Sequence, residues 1–146
     1  MEELEQLVME FKYKPNRARV NISPKENQDT TYKRILLKDP VYSNSVKEGR
    51  TLELVQIMLP EAGITQLTLN RDVVCARHRD KANSGLSWIC FFGEYTEGGD
   101  LLFEDGTIYP GSQTGHWHGP FDGKLLAHWN TQHYGGCRWS VVGYST

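Results

Sequence analysis

The sequence lacks any apolar run approaching the roughly 20 residues that a helix needs to cross a bilayer, so no membrane association is expected. It has only three cysteines, Cys75, Cys90 and Cys137, an odd number without Cys-x-x-Cys spacing. Neither a disulfide framework nor a zinc knuckle is indicated, and reduced core thiols are expected. The first residues, MEELEQLVMEF, are acidic and amphipathic. They lack the basic start and continuous apolar core of a secretory leader, and an intracellular address is expected. No Ser or Cys stands at a recognisable spacing from a His, so hydrolase chemistry has no support. Polar low-complexity tracts are also missing. With 38% hydrophobic and 23% charged residues, residues 1–146 are expected to form a single globular domain.

The net charge of −2 argues against strong non-specific nucleic-acid binding, yet it conceals an asymmetry. Eight basic residues lie between Lys12 and Lys38 (Lys12, Lys14, Arg17, Arg19, Lys25, Lys33, Arg34 and Lys38) against two acids, Glu26 and Asp29. Such a segment is either solvated surface or a face for a phosphate backbone. Acids concentrate instead in 2–10 and 94–105, where Asp100, Glu104 and Asp105 read as a solvated rim.

Apolar spacing predicts two helices in the first 60 residues. Leu4, Leu7, Val8 and Phe11 form one stripe. Ser45 and Glu48 fit a capping box, Leu52, Val55, Met58 and Leu59 share a face, and Pro60 stops the helix. Between them, 12–44 read as loop with at most one short strand. After Pro60, runs rich in β-branched and aromatic residues at 65–69, 72–79, 86–93, 100–104, 107–109, 124–130 and 137–145 are separated by Gly, Asn and Asp. These predict a mainly β fold of sandwich or jelly-roll type with N-terminal helices. Residues 1–60 would form a helical support region and 61–146 the β core. The double-stranded β-helix is the member of that class that holds a metal inside its barrel, and the histidines point to it.

His78-Arg79-Asp80 is a His-x-Asp at the end of a predicted strand. Alternation turns residues i and i+2 to one face, where an imidazole and a carboxylate can share one ion. They supply two-thirds of the facial triad that leaves positions open on a non-haem iron. His128 falls in a later strand and Arg138 follows it by ten residues, with Gly135-Gly136 between to turn the chain. In the last strand Arg138, Ser140, Val142 and Tyr144 share a face. A guanidinium there pairs bidentately with a carboxylate, and the Ser140 hydroxyl can donate to the same group. An unpaired buried Arg costs several kcal/mol, which an anionic ligand would offset.

This order, His-x-Asp, His, then Arg-x-Ser, resembles the 2-oxoglutarate/Fe(II) dioxygenase superfamily. Within it, NRDVVCARHRDKANSGLSWICFFGEYTEGGDLLFEDG and FDGKLLAHWNTQHYGGCRWSVVGYST look like the compact branch related to TET and base-J thymine hydroxylases. The resemblance rests on Asn70, the HRDKANSGLS block, the run at 93–101 and Phe-Asp-Gly ahead of His128, and covers about 60–146. It implies a double-stranded β-helix in which His78, Asp80 and His128 are catalytic iron ligands. Arg138 and Ser140 would bind 2-oxoglutarate. Asn70, eight residues before His78 on what an unbroken strand would make the same face, would reach the co-substrate's other end. The implied cofactors are Fe(II), 2-oxoglutarate and O₂. The implied reaction is hydroxylation of a pyrimidine methyl group, in thymine or 5-methylcytosine, making nucleic acid the partner. A protein side-chain hydroxylase and a non-catalytic metal- or ligand-binding barrel are the alternatives. Oligomeric state is not legible.

A cupin-like set from His116, His118 and His133 lacks a carboxylate at strand-compatible spacing, so these three are expected in loops at the barrel mouth. Trp129 and Trp139 have the opposite parity to His128 and Arg138 and should pack outside the cavity. Trp117, in a Gly-rich stretch, is the tryptophan expected to meet substrate, by stacking on a base.

Overall fold

Both expected helices form. A computed structural model describes residues 1–15, 31–36 and 45–145, with helix α1 at Glu2–Glu10 and α2 at Ser45–Met58. Leu4, Val8 and Phe11 of the first stripe are buried, as are Leu52 and Val55 of the second. The Ser45 side chain of the expected capping box lies outside the described residues. So does most of the basic segment, including Arg17, Arg19, Lys25 and Lys38. Among the described residues no helix is long and apolar enough to cross a membrane.

Among the described residues there are eleven strands, in chain order β1 (Lys14–Pro15), β2 (Thr31–Leu36), β3 (Gln66–Arg71), β4 (Ser87–Phe92), β5 (Glu97–Gly98), β6 (Leu101–Phe103), β7 (Ile108–Tyr109), β8 (Trp117–Phe121), β9 (His128–Asn130), β10 (His133–Tyr134) and β11 (Trp139–Tyr144). The chain is therefore mainly β. One sheet has the order β1-β2-β3-β11-β4-β8; a second has β7-β6-β9, and β10 pairs with β5. All pairings are antiparallel. Because β2 pairs with β3 along its whole length, the N-terminal 60 residues add strands as well as helices.

Period-2 alternation divides the large sheet's two faces. Leu67, Leu69, Cys90, Phe92 and Val141 pack with Leu4, Val8, Leu52 and Val55 of the helices into one core. The alternate residues Ile89 and Phe91 face the small sheet and pack with Leu101, Phe103 and Phe121. On that second face Thr68, Asn70, Ser140, Val142 and Tyr144 line a cavity. The helices thus cover one side of the sheet and leave the other to the cavity. Phe91 and Phe92 are fully buried on opposite faces, and truncating either to Ala would cost about 3–5 kcal/mol.

Three expectations need correction. Residues 72–79 do not form a strand. Asp72 enters the left-handed region at φ 54° and ends β3. The Asn130 side chain then takes the place of a neighbouring strand, its Oδ1 accepting from Cys75 N at 2.7 Å and its Nδ2 donating to Val73 O at 2.7 Å. The strand expected over 124–130 shrinks to β9, because Asp122 Oδ1 accepts from the amides of Lys124 and Leu125 and folds a turn there. Finally, Trp117 is in β8 rather than a loop. Its indole packs against the helix-side core and its N–H points to Met58 Sδ at 3.4 Å. Gly119 and Pro120 disguised this strand; a proline is tolerated because β8 is the edge of its sheet.

Candidate metal centre and anion pocket

His78 and His128 meet as a single antiparallel bridge outside the regular ladders. Each donates its amide to the other's carbonyl, at 3.0 and 2.9 Å. Asp80 is drawn to the same place by its own amide, which donates to Gly123 O at 2.8 Å. The result is three ligand atoms, one each from His78, Asp80 and His128, within 4.8 Å of one another.

The imidazoles are set for coordination. His78 Nδ1 lies 2.8 Å from Ala76 O, and His128 Nδ1 lies 2.9 Å from Leu126 O. A carbonyl only accepts, so each Nδ1 carries the proton and each Nε2 keeps a lone pair. Those Nε2 atoms face Asp80, at 3.5 Å from Oδ1 for His78 and 3.1 Å from Oδ2 for His128. Burial raises the Asp80 carboxyl, but when the imidazoles are protonated the hydrogen bonds and charge of His128 and His78 outweigh it and hold it well below the usual carboxylate range; a bound metal takes the place of those protons. Asp80 is thus an anion at neutral pH. A Cβ on Gly123 would sit 2.7 Å from Asp80 Oδ2, so glycine is what lets this loop pass so close. Two neutral nitrogens and one carboxylate suit a divalent first-row metal with coordination positions to spare.

The same cavity, about 140 Å³, is lined by Asn70, Arg138 and Ser140 together with the three ligand candidates. Ser140 stands opposite Asn70 in the β11·β3 register, and Asn70 Nδ2 donates to Ser140 Oγ at 3.2 Å. Asn70 therefore reaches the cavity from the end of β3 and not along a strand continuing to His78. Its Oδ1 is buried without a partner.

Arg138, immediately before β11, is 3% exposed. Its Cζ lies 4.6 Å from the Phe91 ring centroid, and its Nε is buried without a partner. Among the described residues no carboxylate comes within ion-pair distance of it. Burial pulls its pKa below the ordinary arginine value, opposed by the neighbouring Tyr95 hydroxyl. Backbone glycine makes the room: a Cβ on Gly99 would lie 2.9 Å from Arg138 Cδ. A buried guanidinium with an orphaned N–H fits a dicarboxylate ligand reaching it from the metal.

Two of the three remaining histidines are not in exposed loops. His118 is in β8 and His133 in β10, both buried. His118 Nε2 lies 2.9 Å from Gln113 O. His133 Nε2 lies 2.9 Å from Asp72 Oδ1, the atom that also accepts from Arg138 N at 2.9 Å. His116 alone of the three is exposed and outside a strand. The expected acidic rim is also partly engaged, since Asp100 Oδ1 accepts from Gly111 N at 2.7 Å and Glu104 pairs with two arginines. Trp139 packs against the helix-side core, whereas Trp129 lines the cavity with Arg77 5.4 Å above its ring. Sequence reasoning missed Asp72 and Asn130. Both brace the irregular 72–77 segment, and only the incorrect assumption of a strand hid the need for a brace.

No protein-family model matches the chain, and no curated protein matches it. Solved structures do. The chain is similar to a Pseudomonas putida prolyl-4-hydroxylase with a TM-score of 0.61 at 15% identity, over 99% of this chain and 86% of that one. It is similar to a 2OG-Fe(II) oxygenase family oxidoreductase from Burkholderia pseudomallei with a TM-score of 0.55 at 16% identity, over 98% and 76%. It is also similar to NgTET1 in complex with 5mC DNA, with a TM-score of 0.54 at 17% identity, over 97% and 68%. At these identities the likeness establishes a shared fold.

Proposed function

We propose that this chain is an Fe(II)- and 2-oxoglutarate-dependent oxygenase built on a double-stranded β-helix. Residues 1–146 would be one oxygenase domain, with 61–146 as its core and 1–60 as support. The observation that carries the reading is one cavity holding both a His-Asp-His cluster and a buried arginine with no carboxylate partner among the described residues. Each half explains the other. A ligand that chelates a metal through one end and presents a carboxylate at the other satisfies Arg138, Ser140 and the open coordination positions together.

In this reading His78, Asp80 and His128 hold the iron, with Nδ1–H bonds to Ala76 and Leu126 fixing the tautomers. Arg138 and Ser140 bind the distal carboxylate of 2-oxoglutarate. Asn70 positions Ser140 by its hydrogen bond and keeps one oxygen turned to the pocket. Val73, Ile89, Leu101 and Phe121 line the rest with apolar surface that limits water. When bound, iron and 2-oxoglutarate supply O₂-dependent hydroxylation of a C–H bond, one oxygen atom entering the product and the other the succinate left with CO₂.

The favoured substrate is the methyl group of thymine or 5-methylcytosine in nucleic acid. The resemblance of the HRDKANSGLS and FDG blocks to the TET and base-J branch supports it, as does the likeness in fold to NgTET1. The likeness to a prolyl-4-hydroxylase favours a second reading, hydroxylation of a protein side chain. Nucleoside mass spectrometry separates them. Duplex DNA containing both bases would be incubated with the protein, Fe(II), 2-oxoglutarate and ascorbate, with Asp80→Ala as control. A hydroxymethyl base absent from the control supports the first reading. Succinate formed with peptide substrates and not with nucleic acid would replace it with the second.

A further inference from the structure

The arginines that alternate with the metal-site residues share a destination that the proposed chemistry does not use. In the segment 77–80, His78 and Asp80 turn to the cavity while Arg77 and Arg79 turn outward. Both reach one carboxylate, Glu104, just beyond β6. Arg77 Nη2 donates to Oε2 at 3.0 Å, and Arg79 Nη2 lies 3.1 Å from both Oε1 and Oε2. The Ala127 amide, one residue before His128, also donates to Glu104 Oε1, at 3.1 Å. The Glu104 amide returns a bond to Ala127 O at 3.0 Å. A second strap runs from Arg79 Nε to Leu125 O at 3.2 Å.

These contacts matter because of what is missing around the metal site. Two strands in a ladder hold their spacing through a row of hydrogen bonds. The segments carrying His78 and His128 share one isolated bridge, and the run before His78 is irregular. Their other ties lie to either side of it, at Asn130 with Val73 and Cys75 and at Asp80 N with Gly123 O, so no continuous ladder fixes their relative rotation at the ligands. Glu104 adds three contacts outside that bridge, to residues 77, 79 and 127, each adjacent to a ligand candidate. Ordinary exposed ion pairs stabilise a fold little, so this convergence is more informative about geometry than about stability.

We propose that Glu104 is a positioning residue: through Arg77, Arg79 and the Ala127 amide it sets the relative placement of His78, Asp80 and His128, and thereby the affinity for the divalent metal. The inference rests on the metal-site reading above and goes beyond it by assigning a role to a residue outside the cavity.

The test is Mn(II) titration followed by electron paramagnetic resonance, with circular dichroism and melting temperature on the same samples. Five proteins are compared: wild type, Glu104→Gln, the Arg77→Gln/Arg79→Gln double variant, the triple variant that combines these substitutions, and Asp80→Ala. Glu104→Gln keeps an oxygen for the Ala127 amide but loses both ion pairs. Its Mn(II) affinity is expected to fall about 10- to 100-fold, the usual effect of removing a partner that orients ligands. Its melting temperature should stay close to wild type. The double arginine variant should weaken binding by a similar factor, and combining it with Glu104→Gln should add little, because the three groups act as one unit. The arginine pair carries the test if Glu104→Gln does not fold, since it leaves the Glu104–Ala127 bond in place. Wild-type affinity in both variants, with Asp80→Ala binding lost, overturns the role of Glu104 and leaves the metal site standing. Wild type that binds no better than Asp80→Ala overturns the metal site and this inference with it.

Discussion

Replacing Arg138 by methionine should invert the usual relation between ligand and stability. Arg138 is buried, has no carboxylate partner among the described residues and leaves its Nε unbonded. Exchanging a buried ionic group for an apolar one of similar volume is neutral to stabilising by about 1–4 kcal/mol. Against this, the variant loses the cation–π contact with Phe91, whose ring centroid is 4.6 Å from Cζ; desolvated, that contact contributes about 2 kcal/mol. The net change lies between a loss of about 2 and a gain of about 2 kcal/mol. For a chain of this size it moves the melting temperature by no more than about 8 °C in either direction. Adding 2-oxoglutarate at about 100 times its Kd to the Mn(II)-loaded proteins should then stabilise wild type by about a further 2.7 kcal/mol and leave Mn(II)-loaded Arg138→Met unmoved. Thermal unfolding followed by circular dichroism, with and without ligand, reads both effects. The reasoning is refuted by equal ligand shifts in the two proteins, or by a ligand-free variant that melts far below the stated range.

Gly99→Ala should weaken 2-oxoglutarate binding with the metal site intact, because its Cβ would lie 2.9 Å from Arg138 Cδ at a backbone φ of +75°; calorimetry would show reduced 2-oxoglutarate affinity and unchanged Mn(II) affinity. Gly123→Ala should act on the metal site instead, placing a methyl 2.7 Å from Asp80 Oδ2 and lowering Mn(II) affinity at least tenfold, on the order of a disturbed ligand partner. Asp72 is desolvated, yet hydrogen bonds from His133 and the Arg138 amide hold its carboxyl below the ordinary value of 3.8. A group depressed on folding stabilises the fold above its unfolded pKa and loses that contribution as pH falls through its folded one. Asp72→Asn keeps an oxygen for the Arg138 amide, so its stability deficit should be greatest near neutral pH and shrink as pH drops below 3.8; urea unfolding at several pH values checks this, and a pH-independent deficit would contradict it.

Local periodicity explains what could be read in advance. The alternation that brings His78 and Asp80 to one face, and Arg138 and Ser140 to another stretch of the same cavity, depends only on the two-residue repeat of extended chain. That repeat survives even where no regular strand forms, as at 77–80. The apolar stripes of α1 and α2 were legible for the same reason. What escaped was information carried between distant segments. Nothing near Asn130 signals that its amide replaces a strand beside Val73 and Cys75. Nothing near Asp72 signals His133, and nothing near Glu104 signals the two arginines that reach it. Asn70 illustrates both sides: it reaches the expected cavity, but through its register with Ser140 and not by continuity with His78. Short strands such as β5, β8 and β10 were missed because Gly98, Gly119 with Pro120 at a sheet edge, and the Gly135-Gly136 pair that follows β10 read locally as turns.

The account's central claim is that one cavity binds a divalent metal and a 2-oxo dicarboxylate together, and anaerobic calorimetry of 2-oxoglutarate tests it most directly. With Fe(II) or Mn(II) present, wild type should bind one 2-oxoglutarate per chain. Binding should fall sharply without metal and in Asp80→Ala, and should also be lost in Arg138→Met despite intact metal binding. Absence of 2-oxoglutarate binding by the metal-loaded wild type, or binding indifferent to both metal and Arg138, would contradict the claim.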